Sequence, residues 1–265
     1  MLLFLACTAT EQTKDSVREF GPPGLLGFPD LPGENLVVVQ VDTLRADHLA
    51  AYGYSRPLLD DGRPWRVVQG YESVSSWTPP SAAAAMTGLD LEHHGLRWVD
   101  QGTPEATVTA PTLAGAFSEA GYRTALFSGS TWMSTITGLD AGFDRADLSP
   151  ELYAKSNLGT LGEDALNWLD RGEGPFLMVL HPMDPHDPYS PEEQDRGVYA
   201  NNLPFDLDNQ DQKDQVDALL ETADEAERAA LMQNLRDVYD EQLVGLGRSL
   251  EQLLGGLEDR GLLDH

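Results

Sequence analysis

The run Leu36-Val37-Val38-Val39-Gln40-Val41, interrupted by one glutamine and halted at Asp42, narrows the possible folds more than any other stretch. A strand with one wet face alternates apolar and polar residues. A run this uniformly apolar and β-branched suits a strand buried on both faces, within a parallel sheet covered by helices. Tyr122 to Phe127, entered from Gly121, reads as the next strand, and Pro175 to Leu180 as another buried one. Between the strands lie small, helix-compatible residues over 80–88, an amphipathic pattern from Thr112 to Ala120, and a further helix over Leu161 to Leu169. Strands alternating with helices predict an α/β fold, a three-layer sandwich around a largely parallel (mixed) central sheet. Residues 206–229 are acidic and polar, and read as an excursion over the surface. From about Ala223 to Leu257, leucines and Val238 recur mostly every three or four residues, as in a helix that Gly245 and Gly247 should loosen midway. The alternation predicts a further strand after this helix, beyond His265.

Charge limits the partners. Seventeen basic against 44 acidic residues give a net charge of −27, and only Lys14, Lys155 and Lys213 are lysines. Such a field repels nucleic acid and anionic membranes. It also repels an anionic substrate, so a sulfate or phosphate site would need local compensation from an arginine or a bound metal. Otherwise the acidity suits a solvated surface in salty or extracellular conditions. The single cysteine, Cys7, excludes an intrachain disulfide. It follows the apolar Met1 to Ala6 and precedes the polar Thr8 to Ser16, an order that looks like the end of a bacterial lipoprotein signal. Residues 1–7 are therefore expected to be a signal remnant with Cys7 as a lipid anchor, and the protein exported, either periplasmic or a membrane-anchored lipoprotein. The competing reading is an untidy N-terminus with an inert cysteine; no basic residue precedes the apolar run, which is too short to span a membrane. Residues 8–34, with Gly21-Pro22-Pro23-Gly24, Pro29, Pro32 and Gly33, read as a linker, which leaves 35–265 as the folded domain.

Two side chains are placed for chemistry. Asp42 follows its strand directly, and ligands of open parallel sheets gather at the carboxyl ends of the strands. A carboxylate there can hold a hard divalent cation, or it can simply cap the segment Thr43 to Leu49. Thr78 precedes Pro79-Pro80 and a small-residue helix. Its hydroxyl would lie at a helix N-terminus, where free N–H groups and the macrodipole favour an anion or a developing alkoxide. A hydroxyl needs a base or a metal to become a nucleophile at neutral pH. As an isolated motif, an N-capping threonine in a proline-rich turn is equally open.

The stretch Asn35 to Tyr54 (NLVVVQVDTLRADHLAAYGY) resembles the opening strand and metal-binding aspartate of the sulfatase family, within the alkaline phosphatase superfamily. Thr78 to Gly88 followed by His94-Gly95 is similar to that family's nucleophile segment. Gly121 to Ala125 matches its Gly-Tyr-x-Thr strand entry, and His181 to Tyr189 (HPMDPHDPY) its Asp-Pro-His-x-Pro-Tyr loop. Tyr239-Asp240 through Leu263 is similar to the helix before its second metal-binding strand. Five segments occur in family order. The resemblance implies a sulfatase-like catalytic domain that binds one divalent metal ion (Ca, Mn, Mg or Zn) and acts on an anionic ester, a sulfated or phosphorylated glycan, lipid or small molecule. It makes Asp42 a metal ligand, Thr78 both nucleophile and metal-facing oxygen, and His186 a contact for the ester's anionic oxygens or leaving group. His94 would give packing or an outer hydrogen bond, and Arg45 an internal ion pair.

The sequence departs from the family in ways that bear on chemistry. Sulfatases proper use a formylglycine made from cysteine or serine; none is expected at Thr78, which resembles the nucleophile of the superfamily's phosphoryl-transfer branches. The family arginine four positions after the nucleophile is Ala82, and the second aspartate of the typical pair is Thr43. The strand whose Asp-His pair would complete the metal site is expected after His265, so the domain reads as incomplete at its C-terminus. The resemblance thus implies a metal-dependent hydrolase of sulfate or phosphate esters. The alternatives are a phosphodiesterase or phosphoethanolamine-type transferase acting on envelope lipids or glycans, and a non-catalytic relative of the same fold.

Overall fold

A computed structural model describes residues 2–7, 34–60, 62–63, 67, 72–100, 103–149, 156–209 and 211–263. The linker reading of 8–34 falls almost wholly outside them. The central sheet has five strands in the order β1 (Leu2–Cys7), β2 (Asn35–Gln40), β7 (Phe176–His181), β5 (Arg123–Ser128) and β6 (Arg145–Leu148). β2, β7, β5 and β6 run parallel. β1 lies antiparallel along β2, from Leu2 opposite Gln40 to Cys7 opposite Asn35, so the segment read as a signal remnant forms an edge strand here. The sheet is therefore mixed and largely parallel, as the apolar run at 36–41 and the alternation of strands with helices predict. Strands β3 (Arg97–Asp100) and β4 (Thr103–Ala106) form a separate hairpin. Its residues gave no alternating pattern to read.

Strand side chains alternate between faces, and each face has its own apolar layer. Val37, Val39, Ala125, Phe127, Met178 and Leu180 meet helices α3 (Leu158–Leu169) and α5 (Glu225–Glu258). Val38, Leu126, Leu177 and Val179 meet α1 (Thr78–Thr87) and α2 (Leu113–Glu119) on the other side. Both faces being covered explains the apolar interiors of β2 and β7, whereas the edge strand β6 carries Arg145 and Asp147.

The acidic stretch contains a helix the sequence reading left out, α4 (Gln212–Thr222), which buries Val216 beside Leu231 and Val238 of α5. α5 begins with a capping box, in which Asp224 accepts from the Glu227 N–H while Glu227 accepts from the Asp224 N–H. It then runs unbroken for 34 residues, so Gly245 and Gly247 do not loosen it. A Cβ at Gly245 would lie 3.1 Å from Asp195 Oδ2, so that glycine lets a buried carboxylate approach the helix. At Gly256 a Cβ would meet Leu166 Cδ1 at 2.4 Å, so a side chain there would push the end of that leucine aside. Among the described residues no helix is long and apolar enough to cross a membrane.

α5 also fastens the segment that follows β2. The Asp240 carboxylate is fully buried and receives three partners from that segment: His48 Nδ1 at 2.5 Å, the Tyr54 hydroxyl at 2.6 Å, and the Arg56 guanidinium. Arg56 also pairs with Asp237 at 2.5 Å and stacks on the Tyr199 ring at 4.0 Å. The neighbouring Tyr239 hydroxyl donates to Thr43 O and accepts from the Arg45 N–H, both at 2.9 Å. Thr43 has a φ of 51°, a left-handed conformation uncommon for a β-branched residue. The phenol thus bridges the backbone on either side of Leu44 and holds a strained turn directly after Asp42.

Candidate active site

Three neighbouring parallel strands end at one rim, and each delivers a polar group there. β2 leads into Asp42, β5 ends at Ser128 and β7 ends at His181, with Ser128 and His181 in register. The N-terminus of α1 faces the same rim. Thr78 Oγ1 donates to Asp42 Oδ2 at 2.7 Å, bringing together the two side chains the sequence singled out. Asp42 is itself fixed by its N–H, which donates to Pro182 O at 3.2 Å.

A cavity of about 460 Å³ opens beside this pair, lined by Asp42, Thr43, Thr78, Ser81, Asp90 and His181 among others. Its described lining includes three carboxylates, Asp42, Glu72 and Asp90, but neither arginine nor lysine. The helix N-terminus compensates less than expected. Thr78 is the first residue of α1, so Pro79 and Pro80 occupy its first turn and remove two N–H donors that an anion would use, while the Ser81 N–H bonds to Trp77 O. Ala82 is fully buried in the apolar layer beneath α1, so the position that holds arginine in the family brings no charge to the cavity. The cavity therefore suits a cation first, and an anionic ester only once a cation is there.

His181 is the group that sequence reasoning missed. It is 1% exposed, and its Nε2 lies 3.7 Å from Asp42 Oδ2 without a hydrogen-bond partner. Burial pulls its pKa below the ordinary imidazole value, against the opposing pull of Asp42. A signal was present: a polar residue closing an apolar strand, FLMVLH, repeats the logic by which VVVQV leads to Asp42. These donors fit a divalent ion. They comprise a carboxylate, a hydroxyl in contact with it, and an orphaned buried nitrogen facing the same carboxylate oxygen. Among the described residues no group of three or more His, Cys, Asp or Glu side chains is gathered for a metal, so the set is partial.

The other expected residues lie elsewhere. His186 sits in the loop after β7, with Nδ1 2.7 Å from Asp187 O, and is not among the residues lining the cavity. His94 is fully buried; its Nδ1 accepts the Leu96 N–H at 3.1 Å, closing a turn. Arg45 pairs with Asp47 at 2.7 Å, but both side chains are more than half exposed, so the expected internal ion pair is a surface one. The part-buried cation of this segment is Arg56, because the Asp240 and Asp237 carboxylates are aimed at it.

Asp184, in the same loop as His186, accepts the Leu158 N–H at 2.8 Å at the start of α3, and burial raises its pKa to about 6. Between an unfolded value near 4 and this folded value, the native state keeps a proton that the unfolded chain has lost. Stability contributed by this group is therefore complete below the window and lost as pH rises through it, by about 3 kcal/mol in all. Asp184→Asn is expected to flatten that part of the pH profile of urea unfolding; a slope equal to wild type between pH 4 and 6 would contradict the assignment.

A family model described as Sulfatase matches residues 34–265. No curated protein matches the sequence. Among solved structures, the fold is similar to that of a protein in complex with its substrate D-glucosamine-2-N,6-O-disulfate, with a TM-score of 0.57 and 15% identity over 87% of this chain and 63% of that one. It is similar to the phosphonate monoester hydrolase of Agrobacterium radiobacter (0.56, 14% identity, 85% and 59% covered). It also resembles the C-terminal periplasmic domain of a phosphoethanolamine transferase from Campylobacter jejuni (0.56, 14% identity, 86% and 64% covered). At these identities the likeness is one of fold, and the chain spans about six-tenths of the length of each.

Proposed function

The chain belongs to the sulfatase family, and on that premise we propose that it carries the nucleophile of a metal-dependent hydrolase of sulfate or phosphate esters. The observation that carries this reading is the Thr78 Oγ1–Asp42 Oδ2 hydrogen bond of 2.7 Å at the rim of the sheet, beside a cavity whose described lining has no basic side chain but a histidine. A divalent cation held by Asp42 and the Thr78 oxygen would neutralise the ester's non-bridging oxygens and lower the pKa of the hydroxyl. The remaining steps belong to the chain. Asp42 fixes the direction of Thr78 Oγ1 and faces its proton. That oxygen passes its proton to the facing carboxylate and attacks phosphorus or sulfur in line; the bond to the ester's alcohol oxygen breaks, the alcohol leaves with a proton, and water cleaves the Thr78 ester to release the acid and restore the hydroxyl. Tyr239 holds the turn at Thr43, and through it the carboxylate of Asp42. His186 is proposed as a contact for the departing group, reached from outside the cavity lining.

A threonine at position 78 cannot become a formylglycine, which favours phosphate over sulfate. It also supports a second reading, transfer of a phosphoryl-linked group to an acceptor alcohol on an envelope lipid or glycan. Export is supported by the apolar run before Cys7. Cleavage at that cysteine would remove Leu2–Ala6 from the sheet edge, so β1 and a lipid anchor at Cys7 are mutually exclusive states of the segment.

The full chain, stripped with chelator and resupplied with Mn²⁺ or Zn²⁺, is expected to release p-nitrophenol from p-nitrophenyl phosphate or its bis-ester faster than from p-nitrophenyl sulfate. A chelator should abolish release. Absence of hydrolysis with every ion and all three esters would favour the non-catalytic relative.

A further inference from the structure

The proton inventory around His181 assigns it a second function in the site. Ser128 Oγ accepts the Ser130 N–H at 3.1 Å, and its single proton has two acceptors in reach, Ser130 O at 3.0 Å and His181 Nδ1 at 3.1 Å. With that proton on Ser130 O, Oγ has a lone pair to offer Nδ1, and Nδ1 carries the ring hydrogen and donates it. Nε2 is then a bare lone pair, buried and without a partner. It faces a carboxylate oxygen at 3.7 Å, and a cation between these two electron-rich atoms would make their approach favourable. Two donor atoms, each about 2.1 Å from one zinc-sized ion, can be separated by at most about 4.2 Å. The observed separation is within that span.

We propose that His181 Nε2 is a ligand of the cation beside Asp42, and that this nitrogen gives the site a preference for a zinc-like ion over calcium or magnesium. The inference rests on the reading of Asp42 and Thr78 as a metal site. Imidazole suits Zn, Cu, Fe and Ni, whereas Ca and Mg take oxygen. Ser128 is a positioning residue here. It fixes the tautomer and the ring plane, as the outer hydrogen bond of a metal-bound histidine does.

The test is titration of the chelator-stripped full chain with Zn²⁺ by calorimetry and with Co²⁺ by visible absorption, for wild type, His181→Asn, His181→Gln and Asp42→Asn. Asparagine keeps an N–H where Nδ1 stood and removes only the outer nitrogen, so circular dichroism should report an intact fold. Its Zn²⁺ and Co²⁺ affinities are expected to fall at least about tenfold with a weakened Co²⁺ band, while Mg²⁺ affinity stays put. Glutamine returns an oxygen near the position of Nε2 and should recover part of the binding. In wild type, the ¹⁵N resonance of His181 Nε2 should shift on Zn²⁺ addition, a readout that requires no variant. If Asp42→Asn loses the metal while His181→Asn binds with wild-type affinity and spectrum, His181 is not a ligand and the metal site stands without it. If wild type binds none of the ions, the metal site itself is refuted, and His181 with it.

Discussion

Thr78→Ala is expected to lower phosphate-ester hydrolysis by at least about a thousandfold and to leave the protein folded, because removing a nucleophile leaves only binding and field effects to act on the substrate. The side chain makes one hydrogen bond, to Asp42, and α1 starts from Trp77 without a side-chain cap. Losing that bond costs about 0.5–1.5 kcal/mol, too little to unfold a domain of this size. Thr78→Ser keeps the oxygen and should retain most of the rate. Measured kcat/KM for the three proteins, with melting curves alongside, separates the outcomes. An alanine variant as active as wild type would remove Thr78 from the mechanism, whatever happened to its stability.

The largest effect on stability is expected at Asp240, far in sequence from the strands it helps to organise. Asp240→Ala leaves the Arg56 guanidinium without one carboxylate and strands His48 and the Tyr54 hydroxyl in a site without water access to Asp240. Breaking a buried charge network by deleting one member costs about 3–5 kcal/mol. Urea unfolding should show a midpoint lowered accordingly with an unchanged slope. A loss under about 1 kcal/mol would mean that the segment after β2 is held by its apolar contacts alone. The exposed Arg45–Asp47 pair is the natural contrast, since surface pairs contribute at most about 1 kcal/mol. Because Tyr239 on the same turn of α5 also holds Thr43, damage at Asp240 should reach Asp42 as well, weakening metal binding in whatever protein remains folded.

The family and the parallel sheet were legible because their signals are local. Uniform burial leaves an uninterrupted apolar run, and a residue that ends such a run at the carboxyl edge of the sheet stands out against it. Asp42 was found that way, and His181 could have been. Thr78 was legible from the proline pair and the small residues behind it. The same prolines, read more closely, also predict the lack of N–H donors at that helix end. Where the reading went astray, the deciding contact was remote. Arg45 and Arg56 are eleven positions apart in the same segment, and nothing local says which of them the carboxylates of α5 will reach. Gly245 looked like a weak point of α5 by intrinsic propensity, yet it is a place where Asp195 comes close.

The three apolar strands β2, β5 and β7, the covering of both sheet faces and the family were written in the sequence, because each depends on which side chains tolerate water along a few consecutive residues. The chemistry of the rim was decided only when β2, β5 and β7 were laid side by side. Hydrogen bonds and lone pairs act over about 3 Å, a distance that sequence separation does not encode. Thus Ser128, His181, Asp42 and Thr78, spread over 140 positions, became one constellation through the sheet, and the His181 ring is held by a serine 53 residues away.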